Sequence, residues 1–194
     1  MNKLDTETRD IAISTIVLSM AFGLGAMKQL GIIVGFGISF FVVGLGFIMH
    51  ELAHRTVARR YGAAAVYRAY PFGLMLALIM SVATGGGFVF AAPGAVQISA
   101  HKHGRWHQQL MEIRVEEYGV ISFVGPLTNI ILAVVFLGLN ALTHFWLFGL
   151  AAHVNATLAL FNMIPIKPFD GAKVLLWDRK VWLGGFVVAL LAWL

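Results

Sequence analysis

The chain has 194 residues, a net charge of +5 and no cysteine; 59% of it is hydrophobic and only 12% is charged. A soluble domain carries roughly twice that charged fraction, so the composition excludes an ordinary soluble protein and points to one transmembrane domain, residues 1–194. Without cysteine there is no disulfide and no Cys-based zinc site, so any metal must be held by His, Asp, Glu or water. The pI of about 9.8 reads as basic loops that set membrane orientation rather than as a nucleic-acid surface.

Apolar stretches follow one another at Ile11–Met27, Gly31–Met49, Phe72–Ala92, Val120–Leu139, Phe145–Ile164 and Val181–Leu194. Most approach the roughly 20 residues that span a bilayer, and the last is shorter. The expectation is an all-α polytopic membrane protein with about five to six transmembrane helices. Asp5, Glu7 and Asp10 interrupt the basic region that a signal peptide requires, so the first stretch reads as a retained span.

The second stretch ends in His50-Glu51-Leu52-Ala53-His54. A helix brings residues four apart to one face, with Cβ atoms roughly 5–6 Å apart, and two imidazoles at that spacing can grip one tetrahedral metal. Glu51 then lies beside the metal, where it can take a proton from water. HExxH is a zinc-hydrolase motif, and here it is joined to a hydrocarbon-length helix, which points to hydrolysis at membrane depth.

The third stretch carries a breaker. Phe72–Ala83 reads as helical, Thr84-Gly85-Gly86-Gly87 as a turn, and Phe88–Phe90 and Ala95–Ile98 as extended segments around Pro93-Gly94. Its flanks, Arg68 and Lys102, both favour the cytosol under the positive-inside rule. A re-entrant hairpin over about 72–98 reconciles these signals, and irregular backbone at that depth is tolerated where it lines a watery cavity. With the N-terminus cytosolic, the HExxH then sits near the inner face, and of the 14 basic residues only Lys28 lies outside. The layout is that of a multi-pass protein of the cell membrane with its active-site side cytosolic.

A catalytic zinc takes three protein ligands and keeps a position for water. Glu112, Glu116 and Glu117 read as a charged loop and Asp178 as interfacial. Asp170 follows the fifth stretch and in this layout arrives on the same membrane side as His50 and His54, with Pro165 and Pro168 ending any regular helix before it. It can serve as the third ligand, or as the N-cap of a helix starting near Ala172.

HExxH at the end of a span, followed by Asn162-x-x-Pro165-x-x-x-x-Asp170-Gly171, resembles the site-2 protease family of intramembrane zinc metalloproteases. Gly125-Pro126-Leu127-Thr128-Asn129 is similar to that family's Gly-Pro-x-x-Asn pattern. The resemblance runs from about residue 31 to 175. It implies one Zn2+ per chain held by His50, His54 and Asp170, with Glu51 as general base and Asn162 facing the active site to hold the substrate carbonyl or its oxyanion. It implies cleavage of a peptide bond within or near a transmembrane segment of another membrane protein, as in regulated intramembrane proteolysis. Many relatives carry a PDZ or CBS domain; none is expected here, and the chain reads as a minimal core.

Other polar residues have plainer readings. Asn162 can equally make an interhelical hydrogen bond, and Asn129, Asn140 and Asn155 read as packing. His101, His103 and His107 read as a solvated loop. Gly31, Gly35, Gly44 and Gly46 read as close helix packing. Two rivals remain: a membrane-anchored zincin, which takes a later Glu as third ligand and needs a larger soluble portion, and a metal transporter using His50, His54 and Asp170 as its transport site. The partners expected are a transmembrane protein substrate and the lipid bilayer, with no nucleic acid.

Overall fold

The computed structural model describes residues 3–90, 92–99 and 113–194; His101, Lys102, His103 and His107 lie outside the described residues. The first two apolar stretches become one helical hairpin. α1 (Lys3–Leu30) and α2 (Ile32–Arg60) are joined at Gly31, whose φ of 85° suits a residue without Cβ. They pack backbone to backbone: a Cβ on Gly35 would run into the main chain of Ala26 and Met27. Gly35, Gly44 and Gly46 therefore serve close helix approach, as the sequence indicated, whereas Gly31, read there as packing, makes the joint instead and has no neighbour within 4 Å of a built Cβ. Arg59 and Arg60 sit in the last turn of α2, where cations complement the helix dipole.

After a turn at Tyr61-Gly62, the chain enters β1 (Ala64–Ala69), then α3 (Pro71–Ala83), then β2 (Gly94–Ser99). Pro71 suits the first turn of α3, where its missing N–H costs nothing. Thr84 ends that helix: its hydroxyl donates to the Met80 carbonyl at 2.8 Å and accepts the Phe88 N–H at 2.9 Å. Gly85 and Gly86 turn the chain at φ 67° and 92°. β1 and β2 pair antiparallel, with Val66 opposite Gln97 and Arg68 opposite Ala95. The helix and the glycine turn lie where the sequence placed them. The strands differ: Phe88–Phe90 is irregular, and β1 was not anticipated. β1 is six residues long and half alanine, and its partner lies some thirty residues on, so local propensity carries little signal.

α4 (Val115–Thr143), α5 (Trp146–Asn162), α6 (Asp170–Trp177) and α7 (Arg179–Trp193) complete the fold. Glu116 and Glu117 are the first turn of α4 rather than a loop; Glu117 accepts the Arg114 N–H at 3.2 Å, half of a capping box. Asp178 is the N-cap of α7 and accepts the Lys180 and Val181 N–H groups at 2.6 and 3.0 Å. The protein is thus mostly helical with one small sheet. Among the described residues, three helical stretches are long and apolar enough to cross a membrane: Thr6–Leu30, Ile32–Arg60 and Val115–Thr143. Leu18, Val43, Phe47, Tyr67 and Leu158 form the core between α1, α2, β1 and α5; the histidines lie in the C-terminal half of α2.

Candidate metal centre

His50 and His54 project from one face of α2, and α4 closes over them. His50 Nδ1 lies 2.6 Å from Asn129 Oδ1. The Asn129 amide nitrogen is already committed, donating to the Gly46 carbonyl at 3.1 Å and to Asn155 Oδ1 at 2.9 Å. Asn155 in turn donates to the Ala151 carbonyl at 2.8 Å. Asn129 therefore offers its oxygen, and His50 Nδ1 carries the proton. His54 Nδ1 likewise donates to the Ile121 carbonyl, at 2.6 Å. Both rings are thereby fixed with Nδ1 protonated, so both Nε2 lone pairs turn inward.

They converge on a carboxylate. Asp170, the first residue of α6 and 7% exposed, places Oδ2 3.1 Å from His54 Nε2 and 3.5 Å from His50 Nε2. The two Nε2 atoms are 3.0 Å apart. Donors held at about 2.0–2.1 Å around a tetrahedral zinc lie roughly 3.3 Å from one another. The three separations thus match the edges of one coordination tetrahedron, and the donor set fits zinc. Gly125 keeps the space open, since a Cβ there would overlap the Nε2 atoms of both histidines.

The N-cap alternative for Asp170 does not hold: the helix begins at Asp170 itself, and Phe169 occupies the N-cap position. Its second oxygen, Oδ1, accepts from Lys173 Nζ at 3.0 Å. Burial opposes both charges. Their pairing offsets it: the Lys173 ammonium beside Asp170 helps to hold that carboxyl below the usual carboxylate range, and Asp170 in turn holds Lys173 above the usual lysine range.

Glu51 borders the same point. Its Oε2 is buried and has no hydrogen-bond partner among the described residues. The Glu51 side chain lines a cavity of about 10 Å³, room for roughly one water. Pro93, Gly94 and Val96 of the strand segment, Asn162 and Pro168 form other walls. Asn162 is at the cavity, but its amide nitrogen donates to its own helix, at the Leu158 carbonyl, 2.9 Å away, and not across to a neighbour.

Three residues escaped the sequence reading. Asn129 and Asn155 were assigned to packing, yet they orient His50. Lys173, counted only among the 14 basic residues, takes one oxygen of Asp170. The available signal for Asn129 was a side chain with two donors and two acceptor sites in an apolar span, where each must find a partner.

Over 198 aligned residues, covering 96% of this chain and 95% of the relative, the chain is 39% identical to "Putative zinc metalloprotease MJ0611" of Methanocaldococcus jannaschii. It is also 28% identical over 156 residues, 68% of this chain and 64% of the relative, to "Putative zinc metalloprotease YwhC" of Bacillus subtilis. No family model matches the chain, and neither does any solved structure. The site and the first of these similarities agree: an enzyme with zinc as its cofactor, this chain belongs to the zinc metalloprotease family of its Methanocaldococcus jannaschii relative.

Proposed function

We propose that this zinc metalloprotease hydrolyses a peptide bond within or near a transmembrane segment of another membrane protein, the reaction class of the site-2 proteases and of regulated intramembrane proteolysis. The observation that carries the proposal is the convergence of His50, His54, Asp170 and Glu51 at the end of α2, a helix long enough to span the bilayer. Ionisable groups at that depth are costly unless they serve a site.

His50, His54 and Asp170 would hold the zinc, which when bound polarises the scissile carbonyl and acidifies a water. Glu51 takes the proton of the attacking water and passes it to the leaving nitrogen, so the C–N bond breaks to an acid and an amine. The Asn162 amide sits on the cavity wall to hold the substrate carbonyl or its oxyanion. A helix hides its carbonyls in its own hydrogen bonds, so the substrate must be unwound locally. The edge of β2 bordering the cavity can take the unwound chain as an added strand.

In the proposed topology the N-terminus and the zinc side are cytosolic. α5 and α7, of 17 and 15 residues, join the three longer helices as spans, and the stretch from β1 through α3 to β2 is re-entrant. The whole of 1–194 forms one membrane domain. The test is to place the zinc-loaded protein in lipid vesicles with a peptide carrying one apolar stretch of about 20 residues and to locate the cut by mass spectrometry. A cut inside or at the rim of that stretch supports the reading. Cleavage confined to soluble peptides overturns it.

A further inference from the structure

β1 and β2 form a two-stranded sheet, and such a sheet ought to have two open edges. Among the described residues, only the β1 edge of this one is closed by another element. Tyr70 N–H donates to the Pro93 carbonyl at 2.9 Å. An antiparallel ladder alternates bonded and non-bonded pairs, so Ala69 and Gly94, and then Tyr67 and Val96, are non-bonded pairs whose amides point away from the sheet. On the β1 side those outward amides are taken by α1. Tyr67 N–H donates to Glu7 Oε1 at 3.2 Å, and Ala69 N–H donates to Asp10 Oδ2 at 3.4 Å.

Glu7 and Asp10 are one turn apart on α1 and only 6% and 8% exposed. Each also meets a cation, Glu7 with Arg55 at 3.8 Å and Asp10 with Arg68 at 3.6 Å. One turn further along the same face, Ser14 hydrogen-bonds the Tyr67 hydroxyl at 2.8 Å, and that hydroxyl lies 2.8 Å from the Pro93 carbonyl. Pro93, Gly94 and Val96 are walls of the zinc cavity.

We infer that Glu7 and Asp10 are positioning residues: their carboxylates stand in for a neighbouring strand, close the outer edge of β1, and hold the pair so that the edge of β2 at the zinc cavity is the one left for an extended peptide. The substrate part of this inference rests on the strand-addition reading above; the holding part does not. It also gives two buried carboxylates in α1 a reason, since such charges are kept only when paired and hydrogen-bonded.

The full zinc-loaded chain tests it. No native cysteine interferes, so spin labels go on Gln97→Cys in β2 and Arg59→Cys in α2. In the Glu7→Met, Asp10→Leu double variant, which removes both acceptors, the distance distribution should widen at least twofold. In the Glu7→Gln, Asp10→Asn variant, which keeps a carbonyl oxygen at each place, it should stay narrow. Zinc content should be unchanged in both. A narrow distribution in the Met/Leu variant overturns the inference, and so does equal widening in both variants, which would indicate general loosening. If the Met/Leu pair fails to fold, Asp10→Leu alone is read the same way.

Cleavage of a vesicle-borne peptide then separates the two readings. The Met/Leu variant should raise KM about tenfold with kcat within about twofold. Val96→Pro removes an outward donor of β2 without breaking a ladder bond. Unchanged KM in Val96→Pro rejects strand addition and leaves the holding role to the distance data. A raised KM in Val96→Pro with an unchanged KM in the Met/Leu variant rejects the positioning role alone.

Discussion

His50 Nδ1 and Asn129 Oδ1 meet at 2.6 Å across 79 residues of sequence, so the tautomer of the first metal-binding candidate is set by a helix that enters the fold four elements later. Partners of this kind orient the ring and raise its basicity, and their loss typically costs about 10–100-fold in metal affinity. Asn129→Ala should weaken zinc binding by that factor. Asn129→Asp, which keeps an acceptor oxygen, should bind more tightly than the alanine variant. Competition with a chromogenic chelator measures both; equal affinity of Asn129→Ala and the parent protein would remove Asn129 from this role.

Glu51→Gln keeps the shape of the side chain and removes the proton acceptor. Zinc should stay at one per chain while turnover falls about 10²–10⁴-fold. Metal analysis and a cleavage assay on the same preparation decide the matter. Turnover near the parent rate would exclude Glu51 as base, and loss of zinc would make it structural.

Gly125→Ala is the smallest change that fills the site. Its Cβ would overlap both Nε2 atoms, and α4 cannot retreat without breaking the bonds from His50 to Asn129 and from His54 to Ile121. The variant should fold, bind little or no zinc and be inactive. Full zinc occupancy would show that the histidines swing elsewhere to meet the metal.

The topology is tested with single cysteines in a chain that has none. Arg114→Cys at the start of α4 should react only from the cytosolic side, and Thr143→Cys at its other end only from outside. Arg114 reacting from outside would mean that the stretch before it crosses the membrane once, and the re-entrant layout would fall.

What was legible in the sequence was whatever is local. HExxH shows its metal geometry within five residues, the glycines at 85–87 announce a turn, and Asp170 stands out as a carboxylate after an apolar span. What was hidden depends on partners far along the chain. β1 is an alanine-rich strand that exists because β2 and α1 bond both its edges. Asn129 looks like any buried amide until His50 is seen opposite it. Asn162 was read as facing the site; it lines the cavity while its amide nitrogen bonds to its own helix, a local hydrogen bond that composition does not reveal.

The clasp between α1 and β1 also has a consequence for how the chain is made. Glu7 accepts from an amide 60 residues downstream, and at about 5–20 residues per second that amide is synthesised roughly 3–12 s later. For that interval the first helix carries two carboxylates without their strand. Those two hydrogen bonds have to wait until the segment after α2 emerges. The clasp that closes the outer edge of β1 therefore forms only after α1, α2 and β1 have all been synthesised.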